Sequence, residues 1–222
     1  NGAAIARRYR FDRPWGVPVR YHDTQRFLEI CQPDIVEFHL SYSDMERDPA
    51  AYLSGTYDLG FVLHAPELFA GSKLMDLATA DEGLRRYSLE QTQAVIDITR
   101  GLKKFFPKTM RPPIVANIGG FTMDEPLSPE QKAECYRIFA ASLAELDLDG
   151  VELIPQTMAP FPWHFGGQRH QNIFIFPEES AAFCARHNLR MCVDISHTKL
   201  AANHFGFDFA KGLAQLGPHT AH

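Results

Sequence analysis

The chain has 222 residues, 45% hydrophobic and 22% charged, enough for one large domain with a sizeable core. Its formal charge of −5, from 27 acids against 22 bases, gives no general attraction to phosphate backbones, and no run approaches the ~20 apolar residues of a membrane span. Nucleic-acid and membrane partners are therefore not expected. The basic groups that do cluster, Arg7, Arg8, Arg10 and Arg13 and then Lys103, Lys104 and Lys108, lack interleaved aromatics and read as solvated faces. Cys31, Cys135, Cys184 and Cys192 show neither CxxC nor metal-finger spacing, so they fit thiols in a reducing compartment, the cytoplasm. No charged-then-apolar signal segment opens the chain and its first residue is Asn, so a fragment or processed product is expected.

In chain order, β-rich runs alternate with helical stretches. The runs are VPVRYH (17–22), DIVEFHLS (34–41), LGFVLHAP (59–66), PPIVANIGG (112–120), GVELIPQ (150–156) and RMCVDISH (190–197). Between the third and fourth, SLEQTQAVIDITRGLKKFF predicts a helix that opens on a capping box, Ser88 with Gln91. SPEQKAECYRIFAASLAEL repeats the signal with Ser128, Pro129 and Gln131. PEESAAFCARHN (177–188) predicts another helix, starting on proline and acids, and a short one is expected around 208–216. Strand and helix in this alternation imply parallel strands joined by right-handed crossovers. Six such runs favour a closed (β/α)8 TIM barrel over an open sheet, and no GxGxxG follows an early strand. The paired glycines of NIGGF are weak evidence for a phosphate cradle. GPHTAH reads as the approach to a seventh strand, so residues 1–222 are expected to form a single TIM-barrel domain truncated near strand 7 of a longer chain.

Barrel enzymes carry their reactive groups where strands end and loops begin. Those positions are polar here: His22 and Asp23, His39 and Ser41, His64 and Glu67, Asn117, Gln156, and then Asp194, Ser196 and His197. One such histidine alone reads as a hydrogen-bonded core or surface residue; several at the same end of successive strands read as a pocket. In VDISHTK, Asp194 is expected to alternate with Cys192 and Ser196 on one strand face, with His197 just beyond. A carboxylate and an imidazole at that spacing can converge on one divalent cation. The competing reading is an aspartate that caps the next helix beside a solvent-facing histidine.

LHAPEL with His64, VELIPQTMAPFPWHFGGQ and CVDISHTKLA together resemble the xylose-isomerase-like TIM barrels, the superfamily shared by sugar isomerases, epimerases and endonuclease IV. They are similar also to the sugar-isomerase-like barrels found fused behind sialic-acid-synthase-type domains. The resemblance implies a divalent metal ion (Mn, Mg or Zn) held by a Glu ending strand five, by the Asp and His of a sixth-strand D-x-x-H, and by groups on strands seven and eight. Asp194 and His197 fall on the sixth-strand positions. Gln156 falls on the fifth-strand one, where Glu is usual. An amide can offer a carbonyl oxygen to a cation but brings no charge and cannot accept a proton at neutral pH. Isomerisation through an enediolate needs a base for a carbon-bound proton, which Gln156 cannot be. Glu152 lies on the same strand face but about 13 Å deeper. His64 matches a histidine of the endonuclease IV type, but Asn117 stands where that type has another, which weakens a phosphodiesterase reading.

Within this resemblance, Pro155, Pro160 and Pro162 hold an extended loop whose Phe161, Trp163 and Phe165 offer a wall to a sugar. His164, Gln168, Arg169 and His170 supply polar contacts, Arg169 as a forked donor for a carboxylate or phosphate. The alternative is a lid packed on its neighbours without touching ligand. The expectation is a sugar isomerase/epimerase-like domain that binds a divalent metal through Asp194, His197 and Gln156. A polyhydroxylated sugar or sugar derivative would meet His64, His39, Asn117, Trp163, His164 and Arg169. The alternative is a catalytically degenerate barrel that serves as a binding or scaffolding domain of a sugar-biosynthetic protein, with a fused or associated synthase domain as partner.

Overall fold

The computed structural model describes residues 12–161 and 170–222, together with the backbone of 163–164 and 167–168. Its main strands are β1 (Gly16–Val19), β2 (Ile35–His39), β3 (Gly60–His64), β4 (Pro113–Ala116) and β5 (Glu152–Pro155), in one sheet with the order β1-β2-β3-β4-β5. The helices are α1 (Thr24–Cys31), α2 (Glu82–Leu102), α3 (Pro129–Glu145), α4 (Pro177–His187), α5 (Ile195–Phe205) and α6 (Phe209–Leu216). This is the α/β alternation expected from the sequence. The described residues form two compact units, one drawn from residues 12–66, 94–114 and 148–153, the other from residues 67–93, 115–147 and 154–222. β4 and β5 start in the first and finish in the second.

In the first unit β1, β2 and β3 are parallel, with Val19 opposite Phe38 and His39 opposite His64. Alternation along β2 sends Val36 and Phe38 into the core and leaves Ile35, Glu37 and His39 half-buried on the other face. Phe38 and Phe61 meet Phe106 edge-on or tilted, at 5.6 and 5.0 Å between ring centres. The face that carries Phe38 and packs on Phe106 is thus apolar, and the polar groups are left for the opposite face.

In the second unit the parallel order continues through single bridges, Gln156 opposite Cys192 and Met191 opposite Thr220. Sixth and seventh strand positions therefore exist as short pairings. The sixth run does not extend to 197 as expected: its last backbone pairing is the Val193 N–H on the His222 carbonyl at 3.0 Å, and Asp194 caps α5 instead. A carboxylate that accepts amide protons of the next turn starts a helix more effectively than it continues a strand. The helix start expected at Ser88 also moves. α2 begins at Glu82, with the Asp81 carboxylate accepting the Leu84 N–H at 3.0 Å. Ser88 is buried inside α2, where its Oγ accepts the Asp76 N–H at 2.9 Å. The capping box at Ser128 and the proline start of α4 form as expected.

The glycine pair of NIGGF has a packing role. Gly119 has φ 99, and a Cβ there would lie 2.2 Å from the Asp76 carboxylate. That approach lets Asp76 Oδ1 accept the N–H groups of Gly120 (3.1 Å) and Ala78 (2.9 Å), tying two loops of the second unit together. Asp76 is only 4% exposed, and burial pushes its carboxyl up to about 6 although three backbone N–H bonds oppose the rise.

A raised carboxyl means that the folded state holds the proton more tightly than the unfolded chain, so Asp76 costs stability as pH rises through about 6. Asp76→Asn keeps a neutral acceptor for both N–H groups. It is expected to be more stable than the wild type at pH 8, by up to about 3 kcal/mol, with the advantage vanishing towards pH 4. Thermal unfolding of both proteins across this range measures it, and parallel pH profiles would refute it.

Candidate functional site

Cys192 is the last bridged residue of the sixth strand, and Val193, whose N–H donates to the His222 carbonyl, carries the chain to Asp194, the N-cap of α5. Asp194 Oδ1 accepts the His197 N–H at 2.9 Å and the Ser196 hydroxyl at 2.6 Å. Its other oxygen, Oδ2, accepts Gln156 Nε2–H at 3.2 Å and lies 3.4 Å from His197 Nδ1. Burial alone would push this carboxyl up. The Ser196 hydroxyl, the His197 amide and the His197 ring outweigh it and hold the carboxyl below its ordinary range. The side chains of Asp194 and His197 remain 26% and 28% exposed, so the cluster is open to a ligand.

Thr157, which the sequence did not single out, locks this geometry. It is buried, its Oγ1 accepts the Asp194 N–H at 2.9 Å and Thr198 Oγ1–H at 3.2 Å, and its carbonyl faces His197 Nδ1 at 3.0 Å. A carbonyl only accepts, so Nδ1 carries the imidazole proton and Nε2 is left with the lone pair of the neutral ring. The competing sequence reading is thus half right. Asp194 does cap the helix, but His197 turns back onto Asp194 and Thr157 rather than out to solvent.

Whether these groups suit a divalent metal follows from what each offers. Gln156 presents an N–H, not an oxygen, to Asp194 Oδ2. The nitrogen of His197 nearest that oxygen holds a proton. Among the described residues no group of three or more His, Cys, Asp or Glu side chains converges as metal ligands would. As arranged, Asp194, His197 and Gln156 do not fit a metal centre; hydrogen-bond donors stand where a cation's charge would be.

The remaining candidates fall in other places. In the first unit His39 and His64, opposite each other on β2 and β3, stack at 4.5 Å with 20° between rings. His39 Nε2 lies 2.5 Å from Glu37 Oε1, and His64 Nδ1 lies 3.0 Å from the Ala65 carbonyl. Glu37 went unnoticed in the sequence, although a residue two before His39 must share its strand face. In the second unit Asn117 is buried, and its Oδ1 accepts the Gly119 N–H at 3.1 Å, so it shapes its own turn. The side chains of Trp163 and His164, and Arg169 entirely, lie outside the described residues. The backbone there pairs as a short antiparallel ribbon, Trp163–His164 with Gly167–Gln168. Phe161 meets His204 edge-on at 4.6 Å, fastening the start of the proline-rich loop to α5.

Residues 22–219 match the family model of the xylose isomerase-like TIM barrel. No curated protein matches the chain. Among solved structures, a D-tagatose 3-epimerase-like protein is similar at TM-score 0.60 and 18% identity, over 94% of this chain and 73% of that one. An L-ribulose 3-epimerase is similar at 0.61 and 15%, over 93% and 67%. A D-allulose 3-epimerase from Methylomonas sp. in complex with D-allulose gives 0.56 and 16%, over 85% and 59%. At these identities the likeness concerns the fold, and the chain spans 59–73% of the length of these three proteins. With its parallel strand order and the match over nearly its whole length, the chain belongs to the xylose isomerase-like TIM barrel family.

Proposed function

We propose that this chain is a sugar isomerase/epimerase-like domain that binds a polyhydroxylated sugar or sugar derivative at the C-terminal ends of its strands. The observation that carries the reading is the part-open cluster in which one carboxylate, Asp194, gathers the Gln156 amide, the His197 ring and the Ser196 hydroxyl. Carboxylate and amide are groups that exchange hydrogen bonds with vicinal hydroxyls, and the cluster sits where barrel folds bind ligands. Family membership and the 3-epimerases among similar structures support it. Trp163, His164 and Arg169 are the further sugar contacts of this reading in the second unit; His39 and His64 are candidate sugar contacts of the first unit, taken by itself.

A second reading has its own support. Gln156 replaces the carboxylate that a proton-abstracting site needs, and its N–H satisfies Asp194 Oδ2 directly. A domain so built binds sugar without rearranging it. Incubating the protein with D-fructose or D-allulose in deuterium oxide, with and without Mn2+, Mg2+ or Zn2+, separates the two. Exchange of a carbon-bound proton marks an isomerase or epimerase. Binding without exchange marks a binding domain, and neither sugar binding in any condition argues against both.

Two variants probe the cluster. Gln156→Glu would set a second carboxylate against Asp194, and two such charges coexist only with a shared proton or a cation. The variant is expected to bind a divalent metal at least about tenfold tighter than the wild type. Titration calorimetry with Mn2+ or Zn2+ measures this, and unchanged affinity would show that the amide at 156 is not what keeps a cation from this cluster. Asp194→Asn keeps an acceptor for the helix cap but loses the charge. Because the folded state depresses this carboxyl, its stabilisation is present above the unfolded value and lost on acidification through the folded one. The variant is therefore expected to be about 1 kcal/mol less stable near pH 7, with that deficit closing in acid. It is also expected to lose sugar binding; a variant that binds sugar normally would sink the role given to Asp194.

A further inference from the structure

Arg20 directly follows β1, and a single 3-10 turn, Tyr42–Asp44, begins after the two residues that follow the end of β2. Both therefore lie at the C-terminal ends of neighbouring parallel strands, within the first unit. Asp44 is 5% exposed. Its Oδ2 accepts the Ser41 N–H (2.9 Å), the Ser41 hydroxyl (2.6 Å) and Arg20 Nη1 (3.1 Å), while Oδ1 lies 3.5 Å from Arg47 Nη1. Burial pushes the Asp44 carboxyl up, but Ser41 and then the two guanidinium groups outweigh that and hold it below its usual range.

One buried carboxylate thus holds two guanidinium groups whose side chains are 39% and 44% exposed. Each meets Asp44 through Nη1 alone, and the rest of each N–H fork has no partner among the described residues. Other acids close in sequence are engaged by backbone: Asp23 accepts the Arg20 N–H at 2.6 Å and Asp48 the Ala50 N–H at 2.9 Å; Glu46 is exposed. A planar fork fixed at one edge has lost much of its rotamer freedom and offers the geometry that carboxylates and phosphates accept in pairs of hydrogen bonds.

We propose that Arg20 and Arg47, held by Asp44, bind an anionic group, a carboxylate or a phosphate, so that the ligand class is a sugar acid or sugar phosphate rather than a neutral sugar. The anion site stands on its own geometry; its assignment to a sugar derivative rests on the function proposed above.

Titration calorimetry on the whole protein tests it with D-fructose, D-fructose 6-phosphate, D-gluconate, and inorganic phosphate and acetate alone. At least one charged sugar is expected to bind about tenfold or more tightly than D-fructose, and the phosphate and carboxylate arms identify which anion is preferred. Arg47→Gln, at an exposed position, should remove most of that advantage and leave the affinity for D-fructose unchanged. Arg20→Gln should do the same, and Arg20→Lys should restore only part, since an ammonium cannot form the fork. Thermal melts identify any variant that loses its fold, and Arg47→Gln decides the matter if Arg20→Gln does. Equal affinity for charged and neutral sugars in the wild type overturns the proposal, as does an advantage that survives Arg47→Gln in a folded protein. Arginine-dependent binding of inorganic phosphate or acetate without binding of any sugar would keep the anion site and remove the sugar reading. No binding of any anion ends both the site and its assignment.

Discussion

The second unit turns on one carboxylate that does two things. Asp194 Oδ1 starts α5 by taking the His197 amide and the Ser196 hydroxyl, and Oδ2 holds the Gln156 amide and faces the His197 ring. The cap fixes where the sixth strand stops, and that stop fixes where the site lies. Thr157 completes the arrangement from the adjoining strand by accepting the Asp194 N–H. Local helix nucleation and the polar cluster therefore have a common origin, and a change at 194 acts on both at once. The N-cap accounts for about 1 kcal/mol of such an arrangement, a sizeable share of a marginal stability.

Much of the fold was legible because period-two and period-3.6 patterns report which faces are buried, and burial dominates folding. Five strands and the helices from 129, 177 and 209 fall within a few residues of expectation. The failures have local causes. Ser88 carries every sign of a cap, but its hydroxyl serves Asp76 from within a helix that Asp81 starts earlier. A tertiary hydrogen bond of this kind leaves no trace in propensity. At 190–197 the alternation of Cys192, Asp194 and Ser196 reads as strand, whereas the side-chain oxygen of Asp194 decides for helix.

The site was legible in residue type and less so in connection. His39 with His64, and Asp194 with His197 and Gln156, were drawn from strand ends, and each set meets within its own unit. What the pattern did not yield were the groups that orient them: Glu37 on His39, Thr157 on Asp194 and His197, and Asp44 between two arginines. These are carboxylates and hydroxyls whose importance comes from what lies beside them. Asn117 shows the converse, since a polar residue at a strand end can be fully occupied with its own turn.

A glutamine at 156 changes the electrostatics of the cluster in a definite direction. A second carboxylate there would place two like charges within hydrogen-bond distance and make a cation, or a shared proton, a condition of the folded arrangement. The amide removes that condition, because its N–H neutralises a lone pair without adding charge. The cluster is consequently stable by itself, and a ligand hydroxyl that approaches Asp194 Oδ2 competes with Gln156 and His197 rather than with an ion. Such competition between hydrogen bonds of similar strength yields little net affinity per contact, about 0.5–1.5 kcal/mol. Appreciable affinity for a sugar at this cluster then has to come from several such contacts made at once.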